Sequence, residues 1–272
     1  MQKKLQSPVR SILKFLAIAF VAILIFGPLS SFVLWSFAEK WFWPNLLPQQ
    51  TGFFYWLKIA RSADLIRALE LGVVIALIVT AASLLTAVPL GYALARFRVP
   101  VKPLILMLFL LPQAFPQLPV FANAATILYR FDLGATVAGV TLIHMVGALV
   151  FAVWTMTSVF KSIPIELEEA AVNLGASRLR TFIGISLPLA IPGIVASALL
   201  VFLYSLDEFT GTLLVGAPFV MTLPIFMYNA AQGYELQVAS ITALLLMVPG
   251  VALLLLMERY LKPEYLAMFG RV

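Results

Sequence analysis

Residues 161–188 read KSIPIELEEAAVNLGASRLRTFIGISLP and connect two long apolar stretches. Pro164 suits the first turn of a helix, and the glutamates that follow it lie near the positive end of the helix dipole. Gly175 is placed to end this helix in a left-handed conformation, and Ser177 is placed to cap a second one. Apolar residues recur at helical spacing in both, at Leu167, Ala170, Ala171, Leu174, Leu179, Phe182 and Ile183. The segment therefore predicts two short amphipathic helices joined at a glycine, as a docking element requires.

The apolar stretches on either side of this segment are long enough to cross a membrane. A spanning helix needs about 20 predominantly apolar residues. Six such stretches are predicted, at about 12–37, 68–95, 103–128, 134–160, 187–212 and 237–259. The third contains Pro112, Pro116 and Pro119, which indicate either a bent helix lining a pathway or a kinked packing helix. The predicted fold is an all-α membrane protein with six transmembrane helices.

The composition agrees with a membrane protein. Of the 272 residues, 62% are hydrophobic and 11% are charged, whereas soluble domains are about 45–50% apolar and about 25% charged. Mean hydropathy is +1.04. The absence of cysteine excludes disulfides, thiolate metal sites and cysteine nucleophiles, and a single histidine, His144, excludes a multi-histidine metal site within one chain.

The lysines and arginines predict the orientation, because cytoplasmic loops of membrane proteins are enriched in them. With six spans and both termini in the cytoplasm, thirteen of the eighteen fall on the cytoplasmic side. The outer side receives Lys40, Lys58, Arg61, Arg67 and Arg130. Because the net charge of +6 follows this topology and forms no single binding face, nucleic-acid binding is not expected.

The N-terminal part is predicted to be a peripheral addition. The apolar run from about residue 15 to 37 exceeds the 7–15 residues of a signal-peptide core, so we interpret it as a retained anchor helix. The following outer segment, 38–67, is rich in tryptophan, phenylalanine and tyrosine, which indicates a position along the outer membrane interface. Contact with a binding protein is the alternative. We therefore divide the chain into residues 1–62, the anchor and interfacial segment, and 63–272, the membrane core.

The connecting segment also resembles a known family. Glu169, Ala170 and Ala171 are followed after three residues by Gly175, and after nine more by Ile185, then Leu187 and Pro188. This spacing resembles the EAA loop of permease subunits of binding-protein-dependent ABC importers. The resemblance implies that the loop docks on a separate ATPase, with the coupling residues Glu168, Glu169, Ala170, Ala171, Gly175, Leu179, Ile185, Leu187 and Pro188. An amphipathic loop on the inner leaflet is the alternative, which three closely spaced glutamates disfavour because anionic lipid repels them.

The resemblance also implies the assembly. We expect a second permease, related but different, two ATPase subunits, an extracytoplasmic solute-binding protein, and a lipid bilayer as surroundings, in the bacterial inner membrane. The chain has no G-x-x-x-x-G-K-[ST] phosphate loop, so ATP and Mg²⁺ are expected on the partner ATPase, and this chain is expected to bind no cofactor. We found no catalytic constellation, so the chain is predicted not to be an enzyme.

Candidate substrate contacts lie near the end of the fifth predicted span. Asp207 and Glu208 fall inside it, and acidic residues within a membrane usually face a cavity or a partner. The sequence YSLDEFTGTLLVGAP from Tyr204 resembles permeases of the spermidine/putrescine branch. That resemblance implies a polyamine substrate contacted by Tyr204, Asp207 and Glu208. Other members of the wider group carry opines, aminophosphonates or ferric iron, which remain alternatives.

Two further alternatives concern His144 and the transport class. His144 lies near the middle of the fourth span, either as a proton or substrate group or as a packing histidine bonded to a carbonyl or hydroxyl. The rival class is an ion-gradient-driven secondary transporter. That class predicts ionisable residues in several spans and no docking loop, unlike this sequence.

Overall fold

The structure, a computed structural model, describes residues 8–260. Within that range the chain is mainly helical. Its helices are α1 (Pro8–Phe37), α2 (Phe54–Ala60), α3 (Ala63–Arg96), α4 (Lys102–Ala114), α5 (Gln117–Arg130), α6 (Val137–Ser162), α7 (Ile165–Asn173), α8 (Arg178–Thr181), α9 (Leu187–Leu206), α10 (Leu223–Gln232) and α11 (Leu236–Tyr260). Four residues of the charge count, Lys3, Lys4, Lys262 and Arg271, lie outside the described residues.

The predicted spans correspond to helices in the described part of the chain. Five helical stretches there are long and apolar enough to cross a membrane, and six are if α4 and α5 count as one bent span. The fifth predicted span, 187–212, was drawn too long, because α9 ends at Leu206. A separate π-helical turn, Thr212–Gly216, follows it. The predicted all-α, six-span architecture is confirmed.

The third span is broken rather than gently kinked. The axes of α4 and α5 differ by 103°. Phe115 ends α4 in an extended conformation, and Pro116 precedes α5. Proline has no backbone N–H and restricts the residue before it to extended backbone, so the helix stops there. The bend places Gln117, the first residue of α5, at the turn.

Among the described residues, the larger of two compact units comprises Ala63–Phe226 and residues 246–260. Helices α3, α6 and α9 pack on one another at its centre. Their buried residues include Ile75, Val79, Ile143, Met156 and Val201. The α3–α6 approach requires Gly91, because a Cβ there would lie 2.7 Å from the Cβ of Met156 and 2.9 Å from the amide nitrogen of Thr157. Small residues allow such close contact between membrane helices.

The smaller unit comprises, of the described residues, 8–62 and Met227–Leu245. After α1, two short antiparallel strands, β1 (Ala38–Lys40) and β2 (Gln50–Thr51), form a hairpin. Its tip exposes apolar side chains: Phe42, Trp43 (91% exposed) and Leu46 (88%). Glu39 accepts a hydrogen bond from the amide of Phe54, the first residue of α2. The predicted interfacial position of this aromatic segment stays a prediction.

Candidate coupling loop and pathway groove

The first helix of the coupling loop, α7, ends as the sequence predicts. Gly175 has φ +89°, in the left-handed region. The amide of Gly175 donates to the carbonyl of Val172 (2.9 Å), and the amide of Ala176 donates to the carbonyl of Ala171 (3.0 Å). These two bonds form a Schellman motif, which satisfies the last carbonyls of a helix and places glycine at this position. The chain therefore turns sharply at Gly175.

The second helix, α8, leads directly into the membrane. The Ser177 hydroxyl accepts a hydrogen bond from the amide of Arg180 (3.3 Å), which confirms the predicted cap. The chain then continues through a π-helical turn, Phe182–Ser186, into α9 without leaving helical geometry. Arg178–Leu206 is thus one apolar helical stretch of 29 residues. A force applied at the loop can reach α9 along a continuous helix.

Most predicted coupling residues lie on an exposed surface. Leu174 is 90% exposed and Leu179 is 67% exposed, and Leu167 and Ile183 are also exposed. Glu169, Ala170 and Pro188 are exposed, while Ala171, Ile185 and Leu187 are half-buried. Apolar side chains left uncovered beside polar ones are typical of a surface that contacts another protein or a membrane.

Glu168 differs from the other predicted coupling residues, because it points inward. Its side chain is 10% exposed and pairs with Arg96, whose Nε lies 2.7 Å from Oε1. Oε1 also accepts from the Ser186 hydroxyl (2.8 Å), and Oε2 accepts from the Tyr92 hydroxyl (2.9 Å). Glu168 thus joins α7 to α3 and to the start of α9. Its role as a coupling residue stays a prediction, and its carboxylate is bonded within the chain.

The sequence alone did not indicate a role for Tyr92, Arg96 or Ser186. Arg96 is one of the thirteen cytoplasmic charges counted above. Tyr92 and Arg96 are four residues apart and therefore share one face of α3. A polar pair on one face at the end of an apolar helix is a signal that could have identified them.

At the other end of α9, a buried polar network surrounds His144. The imidazole is fully buried; its Nδ1 lies 2.8 Å from the Ser205 hydroxyl and its Nε2 lies 2.7 Å from the Thr212 hydroxyl. Nε2 also lies 3.2 Å from Oε2 of Glu208. The alternative of a packing histidine bonded to hydroxyls is therefore the one that the structure supports.

Glu208 is an internal anchor of the turn after α9. It is 4% exposed. Its carboxylate accepts hydrogen bonds from the amides of Gly211 (2.9 Å) and Thr212 (3.0 Å), and from the amide of the Gln117 side chain (3.3 Å). Such donors satisfy a buried carboxylate and start a new helical turn. Glu208 thereby holds residues 208–212 against α5 and α6.

Asp207 lies beside this anchor but is exposed. It borders an open groove of about 390 Å³, lined by Gln117, Leu203, Tyr204, Asp207, Glu208, Phe209 and Thr210. The structure therefore separates the two predicted acidic contacts: Asp207 is accessible from the groove, whereas Glu208 is occupied. Gln117 is the groove residue that the sequence analysis missed, because only the sharp bend after α4 brings it there. In residues 8–260, no group of three or more histidine and acidic side chains is arranged to hold a metal ion.

Comparison with known proteins identifies the family. The sequence matches the family described as "Binding-protein-dependent transport system inner membrane component" over residues 87–266, well over half of the chain. The chain belongs to this family: it is a permease subunit of an ABC importer. It is a multi-pass protein of the inner membrane and a transport component, not an enzyme.

Curated relatives agree. The putative ABC transporter permease protein ORF1 of Streptomyces antibioticus is 33% identical over 188 residues, covering 68% of this chain and 82% of that protein. The trehalose transport system permease protein SugB of Mycobacterium tuberculosis is 29% identical, covering 79% and 80%. The molybdate/tungstate permease protein WtpB of Pyrococcus abyssi is 30% identical, covering 63% and 67%. None of these three is described as a polyamine permease, so they do not support the polyamine prediction.

A solved structure shares the fold. A chain of a bacterial ABC transporter involved in the import of the acidic polysaccharide alginate superposes with a TM-score of 0.72. The alignment covers 96% of this chain and 100% of that chain, at 17% identity. The ABC permease fold is therefore established over almost the whole chain.

Proposed function

We propose that residues 161–188 dock on a separate ATPase subunit in the cytoplasm and transmit its closure to the membrane helices. The assembly contains a second permease, two ATPase subunits and an extracytoplasmic binding protein. ATP binds to the ATPase subunits, and both termini of this chain lie in the cytoplasm, as the lysine and arginine distribution indicates.

The proposal is supported by one observation: exposed apolar side chains lie at the start of the helical stretch Arg178–Leu206, which is long and apolar enough to span a membrane. Leu174 and Leu179 stand uncovered on either side of the Gly175 turn. In the described part of the larger unit, most of this apolar surface is left uncovered. A protein cleft that receives it buries apolar area, which favours association by about 25 cal/mol per Å².

The test uses two leucines of nearly equal exposure. Leu174 is 90% exposed in the loop, and Leu46 is 88% exposed in the outer hairpin. Leu174→Glu is expected to weaken binding of the ATPase by at least about tenfold, because a carboxylate must then be buried in the cleft. Leu46→Glu is the matched control and is expected to leave that binding unchanged. Binding is measured by titrating purified ATPase subunit against the detergent-solubilised permease pair. Equal affinities for both variants would exclude the loop as the docking site.

We infer further that the groove beside Asp207 belongs to the translocation pathway. An exposed carboxylate, the Gln117 amide and the aromatic ring of Tyr204 line it. Carboxylate and amide groups bind hydroxyls of sugars, and the carboxylate disfavours an oxyanion such as molybdate by like-charge repulsion. This supports a polyhydroxylated solute, in line with the trehalose permease relative.

A polyamine is the second candidate, and Asp207 is the observation that favours it. A carboxylate supplies both opposite charge and an acceptor for an ammonium leaving water. Asp207→Asn distinguishes the candidates, because an asparagine still bonds hydroxyls but carries no charge. Uptake of trehalose and of spermidine by the complete transporter in vesicles is the measurement. Trehalose uptake largely kept in Asp207→Asn supports a sugar, and spermidine uptake strongly lowered by it supports a polyamine. Uptake of molybdate alone would contradict both.

A further inference from the structure

Four side chains form a largely buried cluster at the base of the coupling loop, which we call the Glu168 cluster: Tyr92, Arg96, Glu168 and Ser186. Two come from α3, one from α7 and one from the turn that enters α9. We propose that the Glu168 cluster is a positioning device that makes α7, α3 and α9 move together when the ATPase moves the loop. The proposal rests on the docking function of the loop proposed above.

Hydrogen bonds and an ion pair join every member of the cluster to at least one other member. The Arg96 and Glu168 side chains are 8% and 10% exposed, and their charged atoms are 2.7 Å apart. A second nitrogen of Arg96 donates to the carbonyl of Ile163 (2.8 Å), just before α7. Glu168 in turn accepts from the Ser186 and Tyr92 hydroxyls. A largely buried ion pair with further hydrogen bonds resists separation, because either partner alone would be left charged and desolvated.

Aromatic rings shield the cluster on its membrane side. The ring of Tyr92 lies 5.4 Å from that of Phe160 on α6 and 4.6 Å from that of Phe182 in the π-helical turn. These contacts hold the Tyr92 ring in place and partly cover the cluster, which also borders an open groove of about 410 Å³. Partial burial strengthens the ionic attraction between Arg96 and Glu168.

The position of Ser186 connects the cluster to the second membrane helix. Ser186 is the last residue of the π-helical turn and is fully buried. π-Helical turns are rare and occur frequently at functional sites. A displacement of the loop therefore reaches α9 by two routes, along α8 and through the Ser186 hydroxyl. It reaches α3 within the cluster through Arg96 and Tyr92. Without the Glu168 carboxylate, α7 can tilt on the ATPase while α3 stays in place.

The test measures motion at the far end of the same unit. Thr210 lines the groove beside Asp207, and the native chain has no cysteine, so Thr210→Cys introduces a single reactive thiol in this subunit. The complete transporter, reconstituted in lipid, is treated with an impermeant maleimide with and without ATP and vanadate. If nucleotide shifts the pathway between two states, the labelling rate of Thr210→Cys changes with their populations, by about tenfold.

Glu168→Gln is expected to remove the nucleotide response of the labelling rate, to within about twofold, while ATP hydrolysis continues. Glu70→Gln is the matched control: Glu70 is exposed on α3, outside the docking segment, and its variant is expected to respond as the wild type does. Ser186→Ala removes only the hydrogen bond between Glu168 and the start of α9, and it is expected to reduce the nucleotide response of the labelling rate. If Glu168→Gln fails to assemble, the result for Ser186→Ala is used in its place.

The outcomes are distinct. A lost response with hydrolysis retained supports the positioning role, because a merely stabilising role would change the yield or the melting temperature without uncoupling hydrolysis from motion. A full response in Glu168→Gln, or in Ser186→Ala where the first variant does not assemble, overturns the proposal. A wild-type transporter without any nucleotide response would overturn the proposed docking function itself, and the cluster's role with it.

Discussion

Replacing Gly175 by valine tests the turn of the coupling loop. Gly175 has φ +89°, and a Cβ built on it meets no atom within 4 Å. The cost of a side chain there is therefore conformational and not a collision. A β-branched residue in this region costs about 2 kcal/mol, and because about 1.4 kcal/mol corresponds to a tenfold change in affinity, ATPase binding should weaken by up to about thirtyfold. Transport should fall accordingly, while membrane insertion should be unaffected.

Three controls isolate the backbone contribution. Asparagine tolerates the left-handed region, so Gly175→Asn should bind the ATPase within about twofold of the wild type. Gly175→Ala should bind the ATPase with an affinity between those of Gly175→Asn and Gly175→Val. Gly184→Ala is a control for the added side chain. A Cβ built on Gly184 also meets no atom within 4 Å, but the backbone of Gly184 is not left-handed. The assay is titration of purified ATPase subunit against the solubilised permease pair. Wild-type affinity for Gly175→Val would refute the argument that the docked loop requires this turn.

Three further predictions concern topology, the buried network and the groove. Single cysteines at Ser177 and Leu46 should react with impermeant reagents from opposite sides of the membrane; reaction from one side would refute the orientation. His144→Ala should lower the free energy of unfolding by about 2–4 kcal/mol, because it removes the imidazole that bonds the buried Ser205 and Thr212 hydroxyls, and an unchanged melting temperature would contradict this. Glu208→Gln should lower the melting temperature, whereas Asp207→Asn should leave it unchanged, because Asp207 is exposed in the groove; the reverse pattern would exchange their roles.

The local features of the coupling loop could be predicted from sequence. The Gly175 turn and the Ser177 cap depend on residues within a few positions of each other, and such short-range bonding is visible in the sequence. The apolar spans could be predicted for a similar reason, since length and hydropathy decide whether a helix can cross a membrane. The polar environment of His144 was one of two alternatives that the sequence left open.

Features that depend on distant residues could not be predicted. Glu168 turns inward because Arg96, seventy-two positions earlier, lies beside it. The end of α9 at Leu206 depends on Glu208, whose carboxylate starts the next turn and is held in turn by Gln117 and His144. Proline marked the third span as irregular, but whether a helix bends slightly or breaks by 103° is decided by what packs against it.

We propose that the coupling loop transmits motion from an ATPase through two docked leucines, Leu174 and Leu179, and through the Glu168 cluster. An electron cryomicroscopy structure of the assembled transporter, with its ATPase subunits, tests it most directly. We predict that Leu174 and Leu179, now exposed, lie inside a cleft of the ATPase, and that Glu168 remains bonded to Arg96 and Ser186 with and without nucleotide. A map in which the loop lies on lipid, or in which Glu168 leaves Arg96 to contact the ATPase, would contradict the account.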